Sequence, residues 1–404
     1  MFELNIKGDI LKDQIKVTEI LADHFATIAD GIGGTDAELL NFKDFNDHPG
    51  VQLIEEKSRG YEVFDFQEEN TTQVKSVLET LDVNKATGHD GISAKILKAG
   101  DDEISLTLSI LYNSCIKKGQ WPCDWKKGDW TLIYKKDDRH AKNYTPITVL
   151  SCVNKVFERL VGNQITTKYD DRLGGGLTTY EKHNSCETSL IGLVEDWKFA
   201  RDNRPLVGIL STDMSKAFDS LHPPLMLCKL KAHGFQDRAL DLLHSYLCSH
   251  LGRVRIGSVT GSWRNGEQGC PQGSVIGPLL WNIFQNDLSH NLGSGLSMYA
   301  DDHQIYMKGK DVCYCHKTSN LLQGNLKKYQ LMNIRNKSVD YGDKTSITIN
   351  GKDMMESDNL ELLGVTIDAG LNFNLHISNV CKKASQRRFV FVECYVVKML
   401  SCAV

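Results

Sequence analysis

The sequence predicts an α+β fold, and three stretches carry that reading. Val74, Val77, Leu78 and Leu81 recur at the i, i+3, i+4, i+7 spacing of a helix packed on one face. Leu206-Val207-Gly208-Ile209-Leu210-Ser211-Thr212-Asp213 is apolar, rich in branched residues and short, as a buried strand is. Ser297-Met298-Tyr299 and His303-Gln304-Ile305-Tyr306 flank an acidic turn, so this stretch reads as a hairpin with Asp301 and Asp302 at its tip.

In chain order, the first 70 residues are polar and weakly patterned, with one amphipathic helix through Ile20, Leu21, Phe25 and Ile28. Lys85-Ala86-Thr87-Gly88-His89-Asp90-Gly91-Ile92 is a glycine-punctuated loop leading into another helix. Leu132-Ile133-Tyr134 is a strand entering a basic turn at Lys135-Lys136, and Gly174-Gly175-Gly176 marks a joint. After the strand ending at Asp213, His222-Pro223-Pro224 opens a helix carrying Leu225, Leu227 and Leu230. The glycines and prolines of Gly269-Cys270-Pro271-Gln272-Gly273-Ser274-Val275-Ile276-Gly277-Pro278 hold a loop whose backbone can approach a ligand, or one that is only structural; a buried helix follows Pro278. There is no internal repeat and no low-complexity tract.

A chain of 404 residues with 41% apolar content buries one large core or two to three subdomains. No 18-residue apolar run exists, and Met1-Phe2-Glu3-Leu4-Asn5 lacks the basic start and apolar centre of a signal peptide. An intracellular protein, nuclear or cytoplasmic and with no membrane partner, is therefore expected. The 12 cysteines are irregularly spaced, and Cys313-Tyr314-Cys315-His316 has no second ligand pair at zinc-finger spacing, which predicts reduced, mostly buried thiols. A net charge of -4 gives no global basic signature. Locally, eight basic residues face five acidic ones between Trp121 and Leu160, and Lys382, Lys383, Arg387 and Arg388 form a second group. Such runs are either solvated surface or contacts for phosphate backbones.

Adjacent carboxylates repel and persist together as anions only beside cations, so Asp301-Asp302 is either a solvated turn or part of a metal site. Asp213, at a strand end, is either a helix N-cap before Ser215 or a metal ligand. If the two strands are neighbours, three carboxylates surround one or two Mg²⁺ ions, whose hardness suits an all-oxygen site. Two such ions about 4 Å apart clamp the attacking and leaving oxygens of an in-line phosphoryl displacement.

Asp213-Met214-Ser215-Lys216-Ala217-Phe218-Asp219, the loop Pro271 to Leu280, and Tyr299-Ala300-Asp301-Asp302, in that order, resemble successive core motifs of reverse transcriptases from non-LTR (LINE-type, jockey-like) retrotransposons. The likeness runs from about Val74 to about Ser385 and takes in Trp125-Lys126, Asn143-Tyr144, Cys186-Glu187-Thr188, Asp343-Lys344-Thr345 and Leu362-Leu363-Gly364-Val365-Thr366. It implies a right-hand polymerase fold. Residues 1–70 would be an N-terminal linker or extension, and 71–205 fingers with early palm elements. Residues 206–358 would be the palm with the catalytic motifs, and 359–404 a primer-grip hairpin and an incomplete thumb. It implies Asp213, Asp301 and Asp302 as the catalytic, metal-binding triad, with the carbonyl of Met214 as an extra ligand and Mn²⁺ as an alternative to Mg²⁺. Phe218 would floor the sugar site and exclude a 2′-hydroxyl, although the same ring also suits an ordinary core. Gln272, Lys344, Lys135 and Lys136 would contact the nucleotide, and Leu363 and Gly364 would grip the primer end. The implied partners are an RNA template, a DNA primer and deoxynucleoside triphosphates.

The chain departs from that pattern at several positions. Thr145 stands where the family carries an arginine that clamps the triphosphate, and a hydroxyl cannot replace a bidentate charged fork. Residues 177–185 lack the family's Gly-Phe-Arg or Ala-Phe-Arg and run a few residues short, while His89 and Cys270 replace a usual proline and valine. Two readings of different class follow: an RNA-directed DNA polymerase, or a polymerase-shaped nucleic-acid-binding remnant with weak or no turnover. A nuclease using the same carboxylates explains neither Phe218 nor the Gln272 loop.

Overall fold

The computed structural model describes residues 2–6, 8–27, 45–134, 139–169, 185–203, 206–213, 221–266, 269–291, 295–300, 302–309, 328–335, 346–349 and 352–386. Gly174-Gly175-Gly176, Cys313 to His316, Arg387 and Arg388 lie outside them. The chain forms two compact units, each from two segments: Met1–Tyr180 with Lys216–Asn291, and Glu181–Ser215 with Leu292–Val404.

The first unit opens with a hairpin, β1 (Leu4–Ile6) and β2 (Asp9–Leu11). Helix α1 (Gln14–Ala26) starts where the Asp13 side chain accepts the backbone N–H groups of Ile15 and Lys16, satisfying two orphan donors of its first turn. Its buried stripe is Val17, Leu21 and Phe25, packed on Trp130 and Val254, while Ile20 lies on the exposed side and Ile28 falls outside the described residues. Polar residues surround that stripe, which is why its phase is hard to read from sequence. Helix α2 (Pro49–Lys57) follows, then α3 (Thr71–Glu79), whose Asn70 and Gln73 form a reciprocal capping box and which buries Val74, Val77 and Leu78 as the spacing predicts. Helices α4 (Ala94–Ala99) and α5 (Asp101–Lys118) come next, the latter ended by left-handed Gly119. Strands β3 (Lys127–Tyr134) and β4 (Tyr144–Leu150) pair antiparallel, and α6 (Cys152–Tyr169) follows. In the middle of this unit the rings of Tyr112 and Phe157 stack at 4.8 Å, and Trp121 lies 4.4 Å from Phe157.

The chain then enters the second unit with α7 (Cys186–Asn203) and β5 (Leu206–Asp213). It returns to the first unit for α8 (Pro223–Ala232), begun by the His222 ring accepting from Leu225 N, and α9 (Asp237–Leu247). Strand β6 (His250–Ile256) runs parallel to β3, extended by β7 (Val259–Thr260) and β8 (Arg264–Gly266), and α10 (Gly277–Asn291) completes the unit as the buried helix expected after Pro278.

The second unit is finished by β9 (Gly295–Tyr299), β10 (Asp302–Gly309), β11 (Lys328–Arg335), β12 (Ser346–Ile349), β13 (Lys352–Met355), β14 (Asn359–Leu362) and β15 (Val365–Asp368), with residues 374–386 helical. Its main sheet is antiparallel in the order β11-β5-β10-β9. Val207 and Ile209 of the central strand, with Met332 and Ile334, pack against Trp197 of α7 and against Leu360, Leu362 and Ile367 of the β14–β15 hairpin. Leu206 and Leu210 are buried on the other face, so β5 is apolar from Leu206 to Leu210 because it is covered on both sides. The architecture is α+β, as the sequence predicts. Three of the described cysteines are buried (Cys115, Cys152 and Cys270) and three are exposed (Cys123, Cys186 and Cys381), so the thiols are free but less uniformly buried than expected. No described helix is long and apolar enough to cross a membrane.

Candidate functional site

The apolar strand and the acidic hairpin are neighbours in one sheet. Asp302 pairs with Tyr299 on one side and with Asp213 on the other, and Asp213 pairs in turn with Lys328. The last rung of the sheet therefore reads Tyr299, Asp302, Asp213, Lys328 across four strands. Directly opposed residues share a face with their Cβ atoms about 5 Å apart, and opposed like charges destabilise a sheet unless a cation accompanies them. Lys328 takes its place on this rung through strand pairing, which is not a local property, so nothing in the sequence marked it. The sequence put Asp301 and Asp302 together at the hairpin tip, but Asp302 is the first residue of β10, because it pairs with Tyr299 and Asp213. Ala300 holds a left-handed φ of 55°, which is costly for a residue with a Cβ and is found mainly where surrounding structure imposes it. Asp301 lies outside the described residues, as do Met214, Phe218, Lys135, Lys136 and Lys344.

Two residues along the same face comes a polar rung of Ser297, Gln304, Ser211 and Gln330. Gln304 is fully buried, and neither its amide oxygen nor its amide nitrogen has a hydrogen-bond partner. Alternation places His303 on the opposite face. Among the described residues no three His, Cys, Asp or Glu side chains gather into a ligand cluster. The register nonetheless brings two aspartates to one rung, a residue type whose hard oxygen donors suit a divalent ion such as Mg²⁺ rather than zinc.

In the first unit, the loop around Gln272 is fixed from both sides. The Gln272 carbonyl accepts the Thr148 N–H of β4 at 2.7 Å, while its side chain stays exposed. Gly273 has a φ of 114°, and a Cβ there would stand 2.5 Å from the Thr148 carbonyl oxygen, so only glycine fits. The Ser274 hydroxyl accepts Gly277 N at 3.0 Å, closing the N-terminus of α10. Glu158 of α6 accepts the N–H groups of Val275 and of Ile276, the latter at 3.2 Å, and an N–H of the Asn154 amide. Asn154 is itself oriented by accepting Trp121 Nε1–H at 2.8 Å. Burial pushes the Glu158 carboxyl up to about 7 in spite of these donors, and burial likewise pushes the nearby Cys270 thiol up. Glu158 was not singled out by the sequence, where it looks like any polar residue of an amphipathic helix.

Leu363 and Gly364 form the turn between β14 and β15, with φ values of 49° and 81°. Two left-handed residues match the twist of a tight hairpin, and Leu363 packs its side chain against the core cluster around Trp197.

Two aspartates opposed in register at the end of an antiparallel sheet are the residue arrangement that metal-dependent phosphoryl transfer calls for. The sequence profile of the reverse transcriptase (RNA-dependent DNA polymerase) family matches residues 133–367, more than half of the chain, and the chain belongs to that family. It is 25% identical to the RNA-directed DNA polymerase from mobile element jockey of Drosophila melanogaster, over 76% of this chain and 36% of that protein. The corresponding jockey protein of Drosophila funebris is 26% identical over the same shares. A protein of transposon X-element from Drosophila melanogaster is 31% identical over 57% of this chain and 26% of its own length. The chain thus spans roughly a quarter to a third of the relatives it matches.

Proposed function

We propose that the chain is an RNA-directed DNA polymerase domain that adds deoxynucleotides to a primer 3′ end on an RNA template. The observation that carries this reading is the opposition of Asp302 and Asp213 on neighbouring strands, inside the stretch matched by the family. Asp213, Asp301 and Asp302 hold Mg²⁺, or Mn²⁺, with the Met214 carbonyl as an added ligand. A divalent ion bound there offsets the repulsion of the carboxylates and supplies charge stabilisation to a phosphoryl transfer. Phe218 excludes a 2′-hydroxyl, and Gln272 lines the nucleotide pocket from a loop held in shape by Gly273 and Glu158. Lys344, Lys135 and Lys136 contact phosphates, and Leu363-Gly364 supports the primer end. Residues 71–205 serve as fingers with early palm elements, 206–358 as the palm and 359–404 as primer grip and thumb, acting on RNA and DNA in the nucleus or cytoplasm.

Thr145 favours a second reading, a nucleic-acid-binding protein without turnover. It lies on β4 opposite Ile133 and supplies no charged fork. Purified protein given poly(rA), an oligo(dT) primer, dTTP and Mg²⁺ separates the two. Primer extension that Asp301→Asn abolishes is the expected result; binding without extension overturns the enzymatic reading.

A further inference from the structure

We infer that the cavity between the 85–91 loop and the β3–β6 strands is a phosphate-binding site for a nucleic-acid strand, built around Arg253. The cavity holds about 610 Å³ and is lined by Gly88, His89, Asp129, Arg253, Arg255 and Thr260, all in the first unit. Asp129 and Arg253 are register partners on the parallel strands β3 and β6. The Asp129 carboxylate is 2% exposed and accepts Arg253 Nε at 2.7 Å and Arg255 Nη1 at 3.2 Å. Trp263 lies under the Arg253 guanidinium at 4.4 Å, and His89 meets the same indole edge-on at 5.5 Å.

Arg253 is thus fixed through its Nε and its flat face, and among the described residues it makes no other hydrogen bond. Its two terminal nitrogens remain as a fork of oriented donors, the geometry that matches two oxygens of a phosphate. Charge points the same way, since one buried carboxylate offsets only one of the two guanidinium groups and a net positive charge is left at the cavity. The opposite wall is held close: a Cβ on Gly88 would lie 2.7 Å from the Ser151 backbone, so the loop approaches β4 as only glycine permits. His89 adds a buried Nδ1 without a partner.

The inference rests on the nucleic-acid reading of the chain but not on turnover, so binding tests it by itself. Two sources share this chemistry, the backbone of a strand and the triphosphate of a nucleotide, and the assay uses both as probes. Anisotropy of a fluorescein-labelled RNA template annealed to a DNA primer, titrated with the full chain over a KCl series, gives Kd and its salt slope. Arg253→Ala is expected to weaken binding roughly tenfold and to lower the salt slope by about one, while Arg253→Lys keeps the slope and still binds more weakly. Wild-type protein is also treated with phenylglyoxal and mapped by mass spectrometry, which holds even if a variant fails to fold. Protection of Arg253 and Arg255 by the primer–template supports the strand site, and protection by dTTP alone assigns the phosphate to a nucleotide. No protection by either probe, or a folded Arg253→Ala variant with unchanged Kd and slope, overturns the site. Arg253-dependent binding without primer extension overturns the polymerase reading and leaves the site standing.

Discussion

Asp302 of β10 stands directly across the sheet from Asp213 of β5, on the rung that Lys328 of β11 completes. Two anions on one rung carry a stability cost that a bound cation removes. Without divalent metal, Asp302→Asn is therefore expected to melt higher than wild type, by about 0.2–1 kcal/mol of stability. Added Mg²⁺ should raise the wild-type melting temperature and leave the variant nearly unmoved. Calorimetric scans with and without the ion check both, and the variant should also lose primer extension. Equal responses to Mg²⁺ would remove Asp302 from the metal site.

Two buried groups give opposite pH dependences. Glu158 is pushed up to about 7 by burial, so its folded form holds a proton that the unfolded form has lost between about 4.5 and 7. Its contribution to stability is present below that window and falls, by about 3 kcal/mol, as pH rises through it. Burial pushes His250 down to about 4, so the unfolded chain binds its proton first and stability is lost as pH falls from 6.5 towards 4, by a similar amount. In wild type the two slopes offset each other over most of the range. Glu158→Gln should expose a stability that rises with pH, and His250→Phe one that falls. Urea titrations at pH 5, 6, 7 and 8 decide this, and parallel curves for both variants would show that neither group titrates as described.

The glycines at two turns differ in what surrounds them. A Cβ on Gly273 would meet the Thr148 carbonyl at 2.5 Å, whereas one on Gly364 would meet nothing within 4 Å. Gly364→Ala bears only the left-handed backbone penalty, about 1 kcal/mol, while Gly273→Ala must also move β4 or the loop and should cost about 3 kcal/mol. Equal losses by chemical denaturation would contradict the close approach of loop and strand.

If the missing arginine limits the proposed polymerase, Thr145→Arg should lower KM for dTTP with little change in kcat. Steady-state primer extension measures the split, and a change confined to kcat would place the effect elsewhere than triphosphate binding.

Local pattern was legible in the sequence wherever a residue's role depends on near neighbours. The stripe of α3, the buried strand β5, the acidic hairpin and the helices opened by His222-Pro223 and Pro278 all follow from spacing, branching and capping within a few residues. Relationships between distant segments were not legible. Lys328 joins the acidic rung through strand pairing, and Glu158 reaches the Gln272 loop from a helix 117 positions earlier. Arg253 and Asp129 meet 124 positions apart. In sequence these are ordinary charged residues, and α1 shows the same limit at shorter range, since only packing against Trp130 and Val254 selects Val17 rather than Ile20 as its inner face.

The parallel pairing of β3 with β6 also bears on how the chain is made. Strand β3 lacks that neighbour until the ribosome has passed Ile256, and the helix that closes the unit ends only at Asn291. Such a sequence separation raises contact order, slows folding and leaves a hydrogen-bonding edge open on the nascent chain. Fragments ending between β4 and β6 should therefore aggregate or recruit chaperones, and soluble expression should return only once α10 is included.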